Sequence, residues 1–181
     1  MRSDALALRK SPRDKPYSPS LDFQILPLSR LLEGARTIPT EQQARFGFKA
    51  KNHNGTKVWC AGAVSLVKRR CVAIVGTREA SRDGAARARR VARELAQAGI
   101  VVVSGLAYGI DTEALRAAIE AGGHTIAVIG TPIDKASPAA NKRLQELIYR
   151  EHLLISQFEP GKRVFQSNFP ARNKLMAAIS D

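Results

Sequence analysis

Four short, continuous runs of apolar and mostly β-branched residues recur through the last two-thirds of the sequence. They are CVAIVG at 71–76, IVVVSG at 100–105, TIAVIG at 125–130 and LLIS at 153–156. A strand that is covered on both faces needs a continuous apolar run rather than an alternating one. These runs therefore predict the central strands of a sheet with a layer packed on each side.

Helical patterns separate these runs and fix the fold class. Residues 84–98 repeat apolar side chains at helical spacing, and Gly99 follows where a helix commonly ends. The repeated positions are Ala88, Val91, Ala92 and Leu95. Comparable patterns cover 112–121 and 138–151. Strand and helix alternating in this way predict an α/β, Rossmann-like, doubly wound and mostly parallel sheet in three layers.

Residues 1–56 lack a sustained pattern of either kind. They include a Pro- and Ser-rich stretch, SPRDKPYSPS, and a polar, turn-prone run, KAKNHNGTK. Two short apolar patches, FQIL at 23–26 and LSRLL at 28–32, either fold locally or dock on the domain that begins near residue 57. We predict a partly disordered, basic N-terminal extension or linker over 1–56 and one domain over 57–181.

The charge balance points to an anionic partner. The chain has 29 Lys and Arg against 16 Asp and Glu, a net charge of +13, and nucleic acid is the commonest anionic partner of such a protein. The two cysteines and three histidines lack the spacing of a metal site or a disulfide framework, so we expect no metal or cofactor and a cytoplasmic location. No segment resembles a secretory signal or a membrane span.

Small residues end each of the first three predicted strands, where such sheets bind their ligands. They are Gly76 and Thr77 followed by Arg78, then Ser104 and Gly105, then Gly130 and Thr131. Glycine lets a backbone approach an anion closely, and Arg78 can grip a phosphate bidentately. Tyr108 offers a ring on which a base can stack. The alternative is that the glycines only make tight turns and the tyrosine covers its loop.

Two common nucleotide-binding classes do not fit these strand ends. GTREAS is not G-x-G-x-x-G, and Ser104 stands where an acidic residue would hold a ribose, so NAD binding is poorly supported. The P-loop pattern G-x-x-x-x-G-K-[ST] does not occur, which excludes a P-loop ATPase.

Six sequence segments are each a weak signal, but together and in this order they are specific for one protein family. They are VAIVGTR, VVVSGLAYGIDTEA, AGGHTIAVIGT, SPAANKRLQ, LLISQFEPG and NFPARNKLMAAIS. Over residues 57–181 the chain resembles the DNA-processing protein A (DprA/Smf) family. The resemblance implies a non-enzymatic, homodimeric protein that binds and protects single-stranded DNA. It also implies that the protein loads a RecA-type recombinase during natural transformation.

The resemblance also implies roles for individual residues. Arg78 matches a ligand of DNA phosphate, and the glycine loop is matched by Ser104, Gly105, Gly109 and Asp111, the last interpreted mainly as a helix cap. Basic side chains of a third motif reach the same groove after a turn set by Phe169 and Pro170. These are Arg172, Asn173 and Lys174, and Lys142 lies close to a position where some members have a DNA-contacting lysine.

Departures from the family pattern keep other interpretations open. Tyr108 replaces a residue that is basic in many members, and the sequence ends where the family continues with another strand. The chain is therefore expected to be C-terminally truncated, with an exposed sheet edge. The alternatives are a nucleotide-binding N-glycosidase or phosphoribohydrolase-like enzyme, or a non-functional truncated copy.

Overall fold

A mixed six-stranded sheet forms the centre of the computed structural model, which describes residues 23–33 and 55–181. In chain order the strands are β1 (Gln24–Pro27), β2 (Lys57–Gly62), β3 (Cys71–Ala73), β4 (Val101–Ser104), β5 (Thr125–Ile129) and β6 (Leu153–Ser156). Their spatial order is β1-β2-β6-β5-β4-β3. The four strands predicted from the apolar runs are β3 to β6, and they pair in parallel, whereas β1 and β2 are antiparallel additions.

Within the described residues, five α-helices complete three layers. They are α1 (Leu28–Leu32), α2 (Arg82–Gln97), α3 (Ile110–Glu120), α4 (Lys142–Glu151) and α5 (Asn168–Ala178), with 3-10 helices at Val64–Lys68 and Ala139–Asn141. Because β3 to β6 are neighbours in order across the sheet, right-handed connections place α2, α3 and α4 on one face. Helices α1 and α5 pack on the other, which confirms the predicted three-layer α/β fold. No helix within the described residues is long and apolar enough to cross a membrane.

The core is split between the two faces of the sheet. In β4, Val101 and Val103 point into the cluster beneath α5, and Val102 packs against the alanines of α2 and α3. Val91, expected in the buried stripe of α2, is 42% exposed. The stripe is instead Ala88, Ala92 and Ala96, because small side chains let α2 approach α3 closely.

Part of the N-terminal region belongs to this domain. Gln24 lies opposite Cys60 as β1 pairs with β2, and α1 buries Leu28 and Leu31 in the core. The boundary predicted at residue 57 therefore falls between two paired strands. The predicted disorder of 1–22 and 34–54 lies outside the described residues.

Strand β3 forms one edge of the described sheet. The Asp181 backbone N–H donates to the Cys71 carbonyl at 2.8 Å, and the Cys71 N–H donates to the Asp181 carboxylate at 3.2 Å. These two bonds cover the start of the strand, and Val75, just beyond its end, is 57% exposed.

Candidate functional site

A cleft of about 220 Å³ opens beyond the carboxyl ends of β3 and β4, against the first turns of α5. Its lining residues are Val75, Gly76, Arg78, Ala107, Asp111, Phe169, Pro170, Arg172 and Asn173. Four of them were predicted as binding residues from the sequence, namely Gly76, Arg78, Arg172 and Asn173. The cleft therefore lies at the edge of the sheet where the sequence predicts the binding site.

Arg78 is the exposed cation of the cleft. Its guanidinium carbon lies 5.3 Å from the centroid of the Phe169 ring, and it forms no ion pair with an acidic side chain of the described residues. A cation–π contact positions a guanidinium without consuming its five N–H donors. Arg78 therefore keeps the donors that a phosphate would use.

Arg172 has a different environment from Arg78. It is 6% exposed, and its Nη1 donates to the Gly105 carbonyl and, at 2.8 Å, to the Val128 carbonyl. Burial lowers the pKa of Arg172, and the nearby Asp111 carboxylate opposes that shift. The guanidinium thus ties the ends of β4 and β5 to α5. Arg172 lines the cleft, but it is buried and two backbone carbonyls take its Nη1 donors, so its contact with DNA stays a prediction.

Asp111 holds the loop that precedes α3. The N-cap of α3 is Gly109, so the interpretation of Asp111 as the helix cap is wrong. Its Oδ2 accepts from the backbone N–H of Gly105 at 3.1 Å and of Ala107 at 3.4 Å. Burial raises the pKa of Asp111, while Arg172 and the backbone N–H donors act against that rise.

Two substitutions of Asp111 distinguish the contribution of its hydrogen bonds to stability from the contribution of its charge. Asp111→Ala leaves buried N–H groups without an acceptor and should lower the free energy of unfolding by about 2–4 kcal/mol. Asp111→Asn keeps an acceptor oxygen but removes the negative charge that compensates the buried Arg172 guanidinium, so its cost should be smaller than that of Asp111→Ala, about 1–2 kcal/mol. Urea denaturation of both variants measures the difference, and equal losses would contradict this role for the hydrogen bonds.

Side chains of α5 explain why glycine is needed at the ends of β4 and β5. A Cβ on Gly105 would collide with the Arg172 guanidinium, and a Cβ on Gly130 would lie 2.6 Å from the Phe169 ring. The Gly105 N–H is already bonded to Asp111. The prediction that these two glycines leave room for an anion is therefore wrong, because side chains of α5 fill the space.

Further hydrogen bonds fix the loop at 105–109. Thr112 Oγ1 donates to the Ala107 carbonyl at 2.6 Å. Asn141 Nδ2 donates to the Leu106 carbonyl at 3.0 Å and to Thr112 Oγ1 at 2.7 Å. No role for Asn141 was predicted, although it lies within SPAANKRLQ, directly before α4. The loop is thus preorganised by partners from three helices.

Three of the remaining predicted residues are exposed. Tyr108 is 48% exposed within the loop, and Thr77 and Lys174 are also exposed. The Thr77 hydroxyl accepts from the Glu79 N–H at 3.2 Å. These three positions are open to a ligand beside the cleft.

Four other predicted residues form contacts within the protein or lie outside the cleft, although Asn173 itself is exposed. Ser104 and Thr131 are buried, and their hydroxyls donate to the carbonyls of Ile74 at 2.7 Å and Lys135 at 3.3 Å. The Asn173 side-chain oxygen accepts from Arg172 Nε at 3.0 Å. Lys142 begins α4, half-buried, and is not among the residues that line the cleft. The buried hydroxyls of Ser104 and Thr131 are structural, which corrects their assignment as ligand contacts.

Sequence comparison decides the family. The profile of DNA recombination-mediator protein A matches residues 38–181. The chain belongs to this family. It is 47% identical over 118 residues to DNA processing protein DprA of Streptococcus pneumoniae (65% of this chain, 42% of that protein). It is 32% identical over 151 residues to DprA of Bacillus subtilis (82% and 51%), so it spans about half or less of these curated relatives.

Solved structures of recombination-mediator protein A relatives agree with the fold. DNA processing protein A of Streptococcus pneumoniae superposes with a TM-score of 0.66 at 44% identity, covering 68% of this chain and 44% of that one. DNA processing protein A of Helicobacter pylori, studied for its single-stranded DNA binding mode, gives a TM-score of 0.70 at 29% identity. That match covers 91% of this chain and 68% of the other. The resemblance drawn from the six segments is confirmed.

Proposed function

We propose that this chain binds single-stranded DNA at the cleft, with Arg78 as the principal phosphate contact. The observation that carries the proposal is the exposed Arg78 guanidinium, which stacks on Phe169 and keeps its donors free of acidic partners among the described residues. The net charge of +13 and the similarity to the Helicobacter pylori protein support it.

Unpaired DNA matches the chemistry beside the cleft. A single strand presents phosphates together with exposed base faces, so a binding protein combines cations with aromatic rings. Arg78 and Lys174 supply the charge, and the half-exposed ring of Tyr108 offers a surface for a base. Such contacts are largely independent of sequence and weaken steeply with salt.

Replacing Arg78 tests the proposal. Arg78→Ala should reduce affinity for a fluorescent oligothymidylate about tenfold, and should lower the slope of log affinity against log salt by about 0.7, the value for one phosphate contact. Arg78→Lys should retain part of the affinity because it keeps the charge but loses the planar fork.

The matched control is Arg150→Ala. Arg150 is exposed and lies in the last turn of α4, away from the cleft, so its replacement removes the same charge elsewhere. If Arg78→Ala and Arg150→Ala have the same affinity and salt slope, the cleft is not the binding site.

For the wider role, we propose that the chain acts as a non-enzymatic, cytoplasmic homodimer that protects incoming DNA and transfers it to a RecA-type recombinase during natural transformation. Membership of a recombination-mediator family supports this. The test is recombinase filament formation on oligonucleotides, with and without the protein. Release of free base from nucleoside monophosphates would instead favour an N-glycosidase.

A further inference from the structure

A line of arginines runs along α2, starting beside the cleft. Arg82, Arg89 and Arg93 are spaced i, i+7 and i+11, which places them on one face of the helix. Glu113 of α3 pairs with Arg89 at 2.6 Å, and one turn further along α3 lies Arg116. We call Arg82, Arg89, Arg93 and Arg116 the arginine stripe.

The arginine stripe carries uncompensated positive charge. Arg82, Arg93 and Arg116 are exposed, and none forms an ion pair within residues 23–33 and 55–181. Arg89 is neutralised by Glu113. The four arginines, with Glu113 and with Glu120 one turn after Arg116, leave two net positive charges on adjoining helices.

The neighbouring face of α2 has mixed charge. Arg90 pairs with Glu94 at 3.6 Å, and Asp83 lies one turn before Arg87. The two basic and two acidic side chains on that face balance each other. Positive charge on α2 is thus concentrated on the stripe rather than spread around the helix.

The stripe starts at the edge of the sheet where the cleft lies, because α2 follows β3. Ser81 caps α2, its hydroxyl accepting from the Gly84 N–H at 3.1 Å, so Arg82 stands only four residues after Arg78. A cation in the first turn opposes the helix dipole, so helix stability does not explain Arg82. From Arg82 to Arg93 the helix rises about 16 Å, a length that covers several phosphates of one strand.

We propose that the arginine stripe binds the sugar-phosphate backbone of the single strand after it leaves the cleft. This inference rests on the proposed function and extends it, because it makes the DNA site longer than the cleft. Guanidinium contacts with phosphates would add affinity without adding base preference.

Oligonucleotide length separates the two parts of the site. The full chain carrying Arg82→Ala and Arg93→Ala is titrated with oligothymidylates of about 3 and about 30 nucleotides, because only the longer strand can cover the cleft and the stripe together. The short strand should bind as it does to the unaltered protein. The long strand should bind about tenfold more weakly, with a salt slope lower by about 1.4 for the two lost contacts.

Arg87→Ala with Arg90→Ala is the matched control, since it removes two arginines from the mixed face of the same helix. Long-strand affinity equal in the stripe and control variants would overturn the inference, as would equal losses for both oligonucleotide lengths. In either case Arg78→Ala still tests the cleft, so failure of the stripe and failure of the proposed function are distinguishable. Unaltered far-UV circular dichroism excludes misfolding as the cause of a loss.

Discussion

Arg172→Met should lower the free energy of unfolding by about 3–5 kcal/mol, which is the range for breaking a buried charged network. The substitution removes the donor to the Gly105 and Val128 carbonyls and the positive charge that acts on the buried Asp111 carboxylate. Urea denaturation measures the loss. Arg150→Met is the control: it breaks an exposed pair with Glu146 and should cost about 0.5 kcal/mol or less.

The pH dependence of Arg172→Met identifies the cause. Burial already raises the pKa of Asp111, and removal of Arg172 takes away an influence that lowers it. A carboxyl whose pKa is higher in the folded than in the unfolded state binds protons on folding, so stability increases as pH falls toward its ordinary value of about 3.9.

The deficit of Arg172→Met relative to the unaltered protein should therefore be smaller at about pH 5 than at about pH 7.5. Adding Asp111→Asn should recover part of the lost stability at neutral pH, because no buried charge is then left unpaired. A deficit that is constant with pH and additive with Asp111→Asn would show that the two side chains are not coupled.

Gly109→Ala should cost about 3 kcal/mol or more. Gly109 has φ +72° and ψ −126°, a conformation that side-chain-bearing residues rarely adopt. An added Cβ would collide with the Thr77 carbonyl oxygen and lie 2.6 Å from that of Arg78. The loop at 105–109 and the segment carrying Arg78 would have to separate, so DNA binding should weaken along with stability.

Gly122→Ala provides the comparison for Gly109→Ala. Gly122 has φ +74°, but nothing lies within 4 Å of an added Cβ, so only conformational strain of about 1 kcal/mol is expected. Urea denaturation of both variants separates strain from collision. Similar losses would mean that the contact with Thr77 and Arg78 is not important for stability.

The predicted strand ends located the cleft, but not the contacts within it. Arg78 follows the first apolar run and lies where the sequence placed it, whereas the reason proposed for Gly105 and Gly130 was wrong. Arg172 lies 67 residues from Gly105 in the chain, and Phe169 is nearly 40 from Gly130. Contacts between residues so far apart in the chain leave no local sequence pattern. In the sequence, a glycine that packs against a protein side chain therefore looks the same as a glycine that contacts a ligand.

Strands β3 to β6 and their connecting helices were determined by the sequence itself, because burial on both faces requires continuous apolar runs that are visible locally. The same runs fixed the edge of the sheet where Arg78 lies. The packing of α5 against that edge was decided by tertiary structure alone. This packing buries Arg172 and places the Phe169 ring against Arg78. It also fills the space next to Gly105 and Gly130. The pairing of β1 with β2 was decided in the same way, because a four-residue strand becomes stable only when the rest of the sheet is present to pair with it.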